Sequence, residues 1–208
     1  MRIKLNINKK LRENIEVVII AVVIAMFIRT FVVQAYKIPS GSMEDTLLIG
    51  DHLLVNKFIY GVKIPFTDGK TLIPIKNPAH GDIIVFKYPV DPSKDFIKRV
   101  IGLEGDTIEI KNKKLYVNGI LKEYKEHVKH TDPVIRSGDL DHRDNFGPVT
   151  VPEDSLFVMG DNRDNSWDSR FWGFVKLNAV RGEALIIHWS WKQKKFGVRW
   201  NRIGNLLI

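Results

Sequence analysis

With 208 residues, 32 lysines and arginines against 24 acidic residues (net +8) and no cysteine, the chain excludes a thiol nucleophile, a cysteine-bound zinc and any disulfide. Its length accommodates a short anchor and one domain with its own core. The positive charge suits a phospholipid headgroup or a nucleic acid without choosing between them, and the missing cysteines leave the compartment open.

Residues 1–14 form a basic tail with Arg2, Lys4, Lys9, Lys10 and Arg12. An uninterrupted apolar run extends from Val17 to Ile28, inside a stretch, Ile15–Val33, that contains neither Gly nor Pro. Those 19 residues would extend roughly 28 Å as a helix, close to the ~30 Å hydrocarbon thickness. The sequence therefore predicts a single transmembrane anchor over 15–34. Five cations before it, against Arg29 and Lys37 at its far end, predict the N-terminus in the cytoplasm and everything after residue 35 outside. A cleavable signal ending at Val33-Gln34-Ala35 is the competing reading, since that tripeptide has the small-x-small look of a cleavage site. Arg29, inside what would then be an uncharged cleavage region, favours the anchor.

Next comes "KIPSGSMEDTL" (37–47). Ser42-Met-Glu-Asp45 fits a capping box, which would make Ser42 a helix N-cap and Ser40 a turn residue; alternatively one of the two serines is a nucleophile. Beyond it the chain reads as β. "HLLVNKFI" (52–59), "DIIVFKY" (82–88), "FIKRVIGL" (96–103), "TIEI" (107–110), "KLYVNG" (114–119), "SLFVM" (155–159) and "EALIIHWSW" (183–191) are short apolar runs bounded by turn residues. Gly50-Asp51, Gly81-Asp82 and Gly105-Asp106 precede strands as turn dipeptides. The predicted fold is mainly β: a single N-terminal transmembrane helix, then an antiparallel, coiled-sheet or barrel-like domain over 35–208. Residues 120–150, polar and rich in histidine, read as a small excursion from the core sheet.

Two β segments carry candidate chemistry. In "DFIKRVIGLEGD" (95–106), side-chain alternation puts Lys98 on one face with Phe96 and Val100, and Arg99 on the other with Ile97 and Ile101. A lysine on an apolar face tends to shed its proton; lowering it from about 10.4 to 7–8 takes on the order of 4 kcal/mol of desolvation. A neutral Lys98 is a general base, whereas a solvated Lys98 is an ordinary surface residue. "MGDNRDNSWDSRFWGFV" (159–175) crowds Asp, Asn, Ser and Arg between apolar flanks, which predicts a polar knot whose members must satisfy one another. G-x-S-x-G, S-x-x-K and H-E-x-x-H are absent. His127, His130, Asp132, Asp139, Asp141 and His142 read as a polar loop rather than a metal site, and His188 as a hydrogen-bonded sheet residue.

The segments "IPSGSM" (38–43), "IKRVIGLEGD" (97–106) and "MGDNRDNSWDSRFWGFV" (159–175), in this order behind an apolar N-terminal stretch, resemble the bacterial type I signal peptidases, membrane-bound serine proteases with a Ser-Lys dyad. "GDIIVFKYP" (81–89) and "RWNRIG" (199–204) extend the likeness over most of 15–204. The resemblance implies Ser42 as nucleophile and Lys98 as base, with Ser166 orienting the lysine. It implies an oxyanion hole from the Ser42 N–H and the Ser40 hydroxyl, and Asp168 with Arg170 as a supporting pair. It further implies a pocket for small substrate side chains near Ile38, Met43, Phe96 and Ile97, no cofactor and no metal. The partners would be signal peptides of exported preproteins and the phospholipid bilayer, not nucleic acid, at the bacterial cytoplasmic membrane. The aromatic and cationic stretch 188–202 would face that membrane. Asp45 departs from the proline that many such enzymes carry there, which leaves the backbone of that turn undetermined. A repressor-type Ser-Lys autoprotease would instead begin with a DNA-binding helical module. A catalytically silent binding domain would not need Ser42, Lys98 and Ser166 together.

Overall fold

Turn chemistry sets where the strands begin. In the computed structural model, which describes residues 9–27, 32–63, 71–123, 127–139, 141–192 and 197–207, the three Gly-Asp pairs build one and the same turn. Gly50, Gly81 and Gly105 adopt φ of 94°, 92° and 81°, a region that costs side chains but not glycine. Each following aspartate then folds back on the residue three positions earlier. Its N–H donates to that residue's carbonyl, and its carboxylate accepts that residue's N–H: Leu48 to Asp51 at 2.8 Å, Ala79 to Asp82 at 2.9 Å and Leu103 to Asp106 at 2.8 Å.

These turns help to launch a succession of short strands: β1 (Val33–Lys37), β2 (Asp51–Asn56), β3 (Val62–Lys63), β4 (Thr71–Ile73), β5 (Ile83–Lys87), β6 (Asp95–Gly102), β7 (Thr107–Lys111), β8 (Lys114–Val117), β9 (Ile120–Leu121), β10 (Phe146–Thr150), β11 (Ser155–Met159), β12 (Val175–Lys176) and β13 (Val180–Ser190). Helices α1 (Lys9–Phe27) and α2 (Ser169–Trp172) complete the regular structure. The expected strand over 52–59 stops at Asn56, because the Asn56 side chain accepts the N–H groups of Phe58 and Ile59 and turns the chain.

The main sheet is antiparallel, in the order β1-β2-β13-β5-β6-β11-β12. It is mainly β and curled as expected, but among the described residues β1 and β12 have no further strand partner, so pairing there does not close a barrel. A second sheet, β10-β7-β8-β9, is drawn from 107–150. The excursion expected at 120–150 is thus part of a larger unit: β7 and β8 pair with each other, and β10 returns to pair with the other edge of β7.

Both faces of the main sheet are covered. Along β5, Ile83 and Val85 join a core with Ile38, Met43, Leu47, Leu53 and Ile187, while Ile84 and Phe86 join another with Val100, Leu156 and Val158. A third core, including Ile101, Ile108, Leu115 and Phe157, sits between the two sheets.

Helix α1 leaves its apolar side chains, from Leu11 to Met26, exposed. Among the described residues no helix is long and apolar enough to cross a membrane: the first turns of α1 hold Lys9, Lys10, Arg12, Glu13 and Glu16. The segment 28–31 of the expected anchor lies outside the described residues.

Candidate active site

Ser42 lies in the turn at 41–47, which starts from Ile38 at the end of β1. The turn is closed by Glu44 N–H to the Gly41 carbonyl at 3.0 Å and Leu47 N–H to the Met43 carbonyl at 2.7 Å, and it does not continue as a helix. The capping-box reading therefore fails: no helix follows, and Asp45, the residue that would return to Ser42, pairs with Lys129 at 3.0 Å instead. Asp45 has φ of 80°, a conformation closed to proline, whose ring holds φ near −65°. Met43 and Leu47 anchor the turn by packing in the core beneath it. The polar knot holds it from above. Asn162 donates its N–H to the Ser42 carbonyl (3.1 Å) and its side-chain amide to the Gly41 carbonyl (3.0 Å), and the Thr46 hydroxyl donates to Asp161 (2.6 Å).

Lys98, in β6, reaches this turn although β2, β13 and β5 stand between β6 and β1 in the sheet order; its side chain meets Ser42. It is 3% exposed, and its Nζ is hydrogen-bonded to Ser42 Oγ at 2.5 Å. Burial pushes its amine down to about 8; the Asp168 charge pulls it back up, Arg170 repels it further down, and Asp161 raises it slightly. Phe96 lies on the same face, its ring centre 5.9 Å from Nζ, as alternation along the strand requires.

Behind the lysine, Arg170 clamps Asp168 through two hydrogen bonds of 2.8 Å, both residues fully buried. Burial pushes the Asp168 carboxyl up, but the Arg170 charge and hydrogen bonds, with Ser166 and Lys98 adding, outweigh it and hold the group below the usual carboxylate range. Arg170 spends its remaining donors on the carbonyls of Arg143 (2.6 Å) and Arg163 (2.7 Å), tying 143–170 into one unit. Ser166 Oγ is buried and makes no well-formed hydrogen bond, to Lys98 or to any other described group, although it lies near enough to Asp168 to help keep it ionised.

Gly160 explains how these parts fit. A Cβ there would run into the Ser166 side chain and the Ser42 carbonyl, so glycine lets the knot and the serine turn touch. Gly160→Ala is expected to cost about 1–3 kcal/mol by overpacking and to lower activity at least about tenfold by displacing Ser42. Thermal melts and peptide kinetics on the alanine variant check both.

A cleft of about 550 Å³ opens over Ser42 and Lys98, lined by residues 39–42 and 95–98 with Glu44, Asn162, Asn165 and Trp167. Ser40 is exposed on its wall. Of the expected pocket residues, Phe96 and Ile97 line the cleft, but Ile38 and Met43 do not: they are 2% and 1% exposed, pointing into the core under the turn. The cleft follows a gap in the sheet. On one side β5 pairs along Asp95–Arg99, whereas on the other β11 reaches only Arg99–Gly102. The outer edge of residues 95–98 thus has no strand partner among the described residues.

Two features escaped the sequence. Arg99 does point away from Lys98, but into a buried two-pronged pair with Asp161, at 2.9 and 2.7 Å. Asn162, the residue that holds the serine turn, gives no signal in a polar run. Several charged side chains of 127–144 pair with one another, Arg143 with Asp132 and Asp144 and Arg136 with Asp141, while His130 pairs with Asp164 of the knot. Among the described residues no three acidic or histidine side chains converge as a metal site. His188 lies in β13, with its buried Nε2 unpartnered rather than hydrogen-bonded, packed edge-on against His52.

The family described as signal peptidase, peptidase S26, matches residues 11–189 of this chain. The chain belongs to that family. Signal peptidase I of Pseudomonas aeruginosa is 40% identical over 200 residues, a match covering 83% of this chain and 70% of that protein. Signal peptidase I of Aquifex aeolicus is 36% identical over 232 residues, covering 88% and 86%. A solved structure of a signal peptidase I from Enterococcus faecalis has 35% identity and a TM-score of 0.42, covering 52% of this chain and 97% of that one. As a member of the signal peptidase family the protein is a peptidase, a hydrolase.

Proposed function

We propose that the protein is a membrane-anchored serine endopeptidase that removes N-terminal signal peptides from exported preproteins at small-x-small, Ala-x-Ala, sites through a Ser42–Lys98 dyad. One observation carries this reading: a buried lysine, with its amine pushed down to about 8, hydrogen-bonded to a serine hydroxyl at 2.5 Å on the floor of a cleft. Neutral Lys98 takes the Ser42 proton as Oγ bonds to the scissile carbonyl carbon. The oxyanion is met by the Ser42 N–H and the Ser40 hydroxyl, each such donor being worth about 3–4 kcal/mol. The Lys98 ammonium then protonates the departing amine, leaving an ester on Ser42. Water, giving its proton to Lys98, cleaves that ester and restores the serine. A desolvated lysine can do this without the carboxylate that a histidine needs to fix its tautomer.

The substrate segment adds as a strand along the unpartnered edge of residues 95–98, where main-chain pairing gives affinity and shallow apolar walls admit alanine. Segment 1–14 serves as a cytoplasmic tail, 15–34 as the anchor and 35–208 as the catalytic domain outside. The exposed apolar flanks of α1 support lipid contact. So do Trp191 and Trp200, exposed beside Trp189 in a region rich in Lys and Arg. The peptide bond after Ala35 is kept from self-cleavage by β1, whose residues 33–37 pair in register with 52–56.

The test is a preprotein with one Ala-x-Ala site, incubated with detergent-solubilised protein and its products identified by mass. Only deprotonated Lys98 is a base, so kcat/KM should climb about tenfold per pH unit below pH 8 and level off above it. A flat profile from pH 6 to 10 would count against a lysine base, and no cleavage at all would count against the function.

A further inference from the structure

The cleft has an aromatic side that the Ser42–Lys98 chemistry leaves unused. Trp167 lines it and is 56% exposed, yet the ring is fixed. Phe171 stacks on one face, centroids 4.6 Å apart and planes 14° from parallel. The indole N–H donates to the Tyr88 hydroxyl at 3.1 Å. Tyr88 is itself stacked on Phe96 at 4.2 Å and 5°, and Phe96 also lines the cleft, its ring centre 5.9 Å from Lys98 Nζ. The backbone after Trp167 is held too, because Asp168 is locked to Arg170. A rigid wall thus runs from beside Lys98, along the open edge of residues 95–98, to an indole with one face covered, its donor occupied and its other face open.

Such a group is pre-organised for contact. A tryptophan already held in place loses little entropy on binding, and its π face prefers flat or polarised apolar partners. Glu44 and Asp95 line the same cleft, which disfavours an acidic side chain there. We propose that Trp167 is a specificity-determining residue whose open face, continued by Phe96, receives a proline or aromatic side chain of the substrate peptide. At ~3.3 Å per residue of an extended chain, that residue lies within about three positions of the scissile bond. The inference rests on the peptidase reading above.

The test uses peptides with one Ala-x-Ala site, identical except that Pro, Phe or Ser is placed in turn at each non-alanine position within three residues of the scissile bond. At one position the native enzyme is expected to favour Phe or Pro over Ser by about two- to tenfold in kcat/KM, expressed in KM. Trp167→Ala should erase that ratio, and Trp167→Phe should keep at least half of it. No ratio in the native enzyme, or an equal loss on every peptide in Trp167→Ala with the ratio intact, would overturn the proposal. Calorimetric binding to Ser42→Ala separates this result from catalysis: the same Phe-over-Ser ratio in Kd is expected there and should vanish in Ser42→Ala/Trp167→Ala. A binding ratio without turnover in the native enzyme would sink the dyad and leave the aromatic wall standing; its absence would sink the wall.

Discussion

Lys98→Met is expected to abolish turnover and, near neutral pH, to make the protein more stable. Loss of either dyad member should cost at least about 10⁴-fold in kcat, so Ser42→Ala will be equally silent. The stability effect is specific to the lysine. In the folded chain its amine titrates at about 8 rather than 10.5 because it is buried, so holding it protonated in the interior costs about 3 kcal/mol. The sign follows from which state binds the proton more tightly. Below pH 8 both the folded and unfolded chains carry it and the penalty is complete. As pH rises from 8 to 10.5 the folded chain sheds it first and the penalty fades. Methionine, similar in length and uncharged, escapes it. Denaturant midpoints should therefore favour Lys98→Met by the widest margin at pH 6.5 and converge near pH 10.5, while Ser42→Ala shows no such trend. A methionine variant that is less stable at every pH, or that still turns over substrate, would remove Lys98 from the role given to it.

Asp161→Ala should produce the largest loss of stability, about 3–5 kcal/mol, a substantial share of the ~5–15 kcal/mol that holds an ordinary domain together. Asp161 is wholly buried and takes both prongs of the equally buried Arg99, along with the Thr46 hydroxyl. Alanine would leave a guanidinium in the interior with only the Gly81 carbonyl as partner among its described contacts. The paired replacement Arg99→Met/Asp161→Leu discriminates between causes. If the cost comes from an orphaned charge, the double variant regains most of it; if it comes from lost packing, the double variant stays unstable. Urea melts of the three variants decide.

Residue order made some of this legible. Alternation within "FIKRV" separated Lys98 from Arg99, because a strand offers only two directions. The Gly-Asp pairs marked strand starts, because left-handed glycines are local signals. What residue order did not reveal was contact across sequence distance. Arg99 is buried because the 159–166 knot covers that side of β6, and no local feature of the strand announces a cover. Ile38 and Met43 flank the serine turn in the chain, yet point into the core because the turn reverses direction between them. Asn162 is one of several polar residues in a row, and only the fold shows which of them meets the serine turn. The second sheet was half-read, since β10 is separated from its partner β7 by more than thirty residues of loop and hairpin.

The turn at 46–51 is held by residues distant in sequence. Arg199 donates to the Ile49 carbonyl, Arg202 to the Thr46 carbonyl, and both reach the Asp51 carboxylate, across 148 to 156 positions. During synthesis, then, Ser42 leaves the ribosome long before the guanidiniums that steady its loop. A half-made chain that has reached Lys98 therefore still lacks the guanidinium contacts that close residues 46–51.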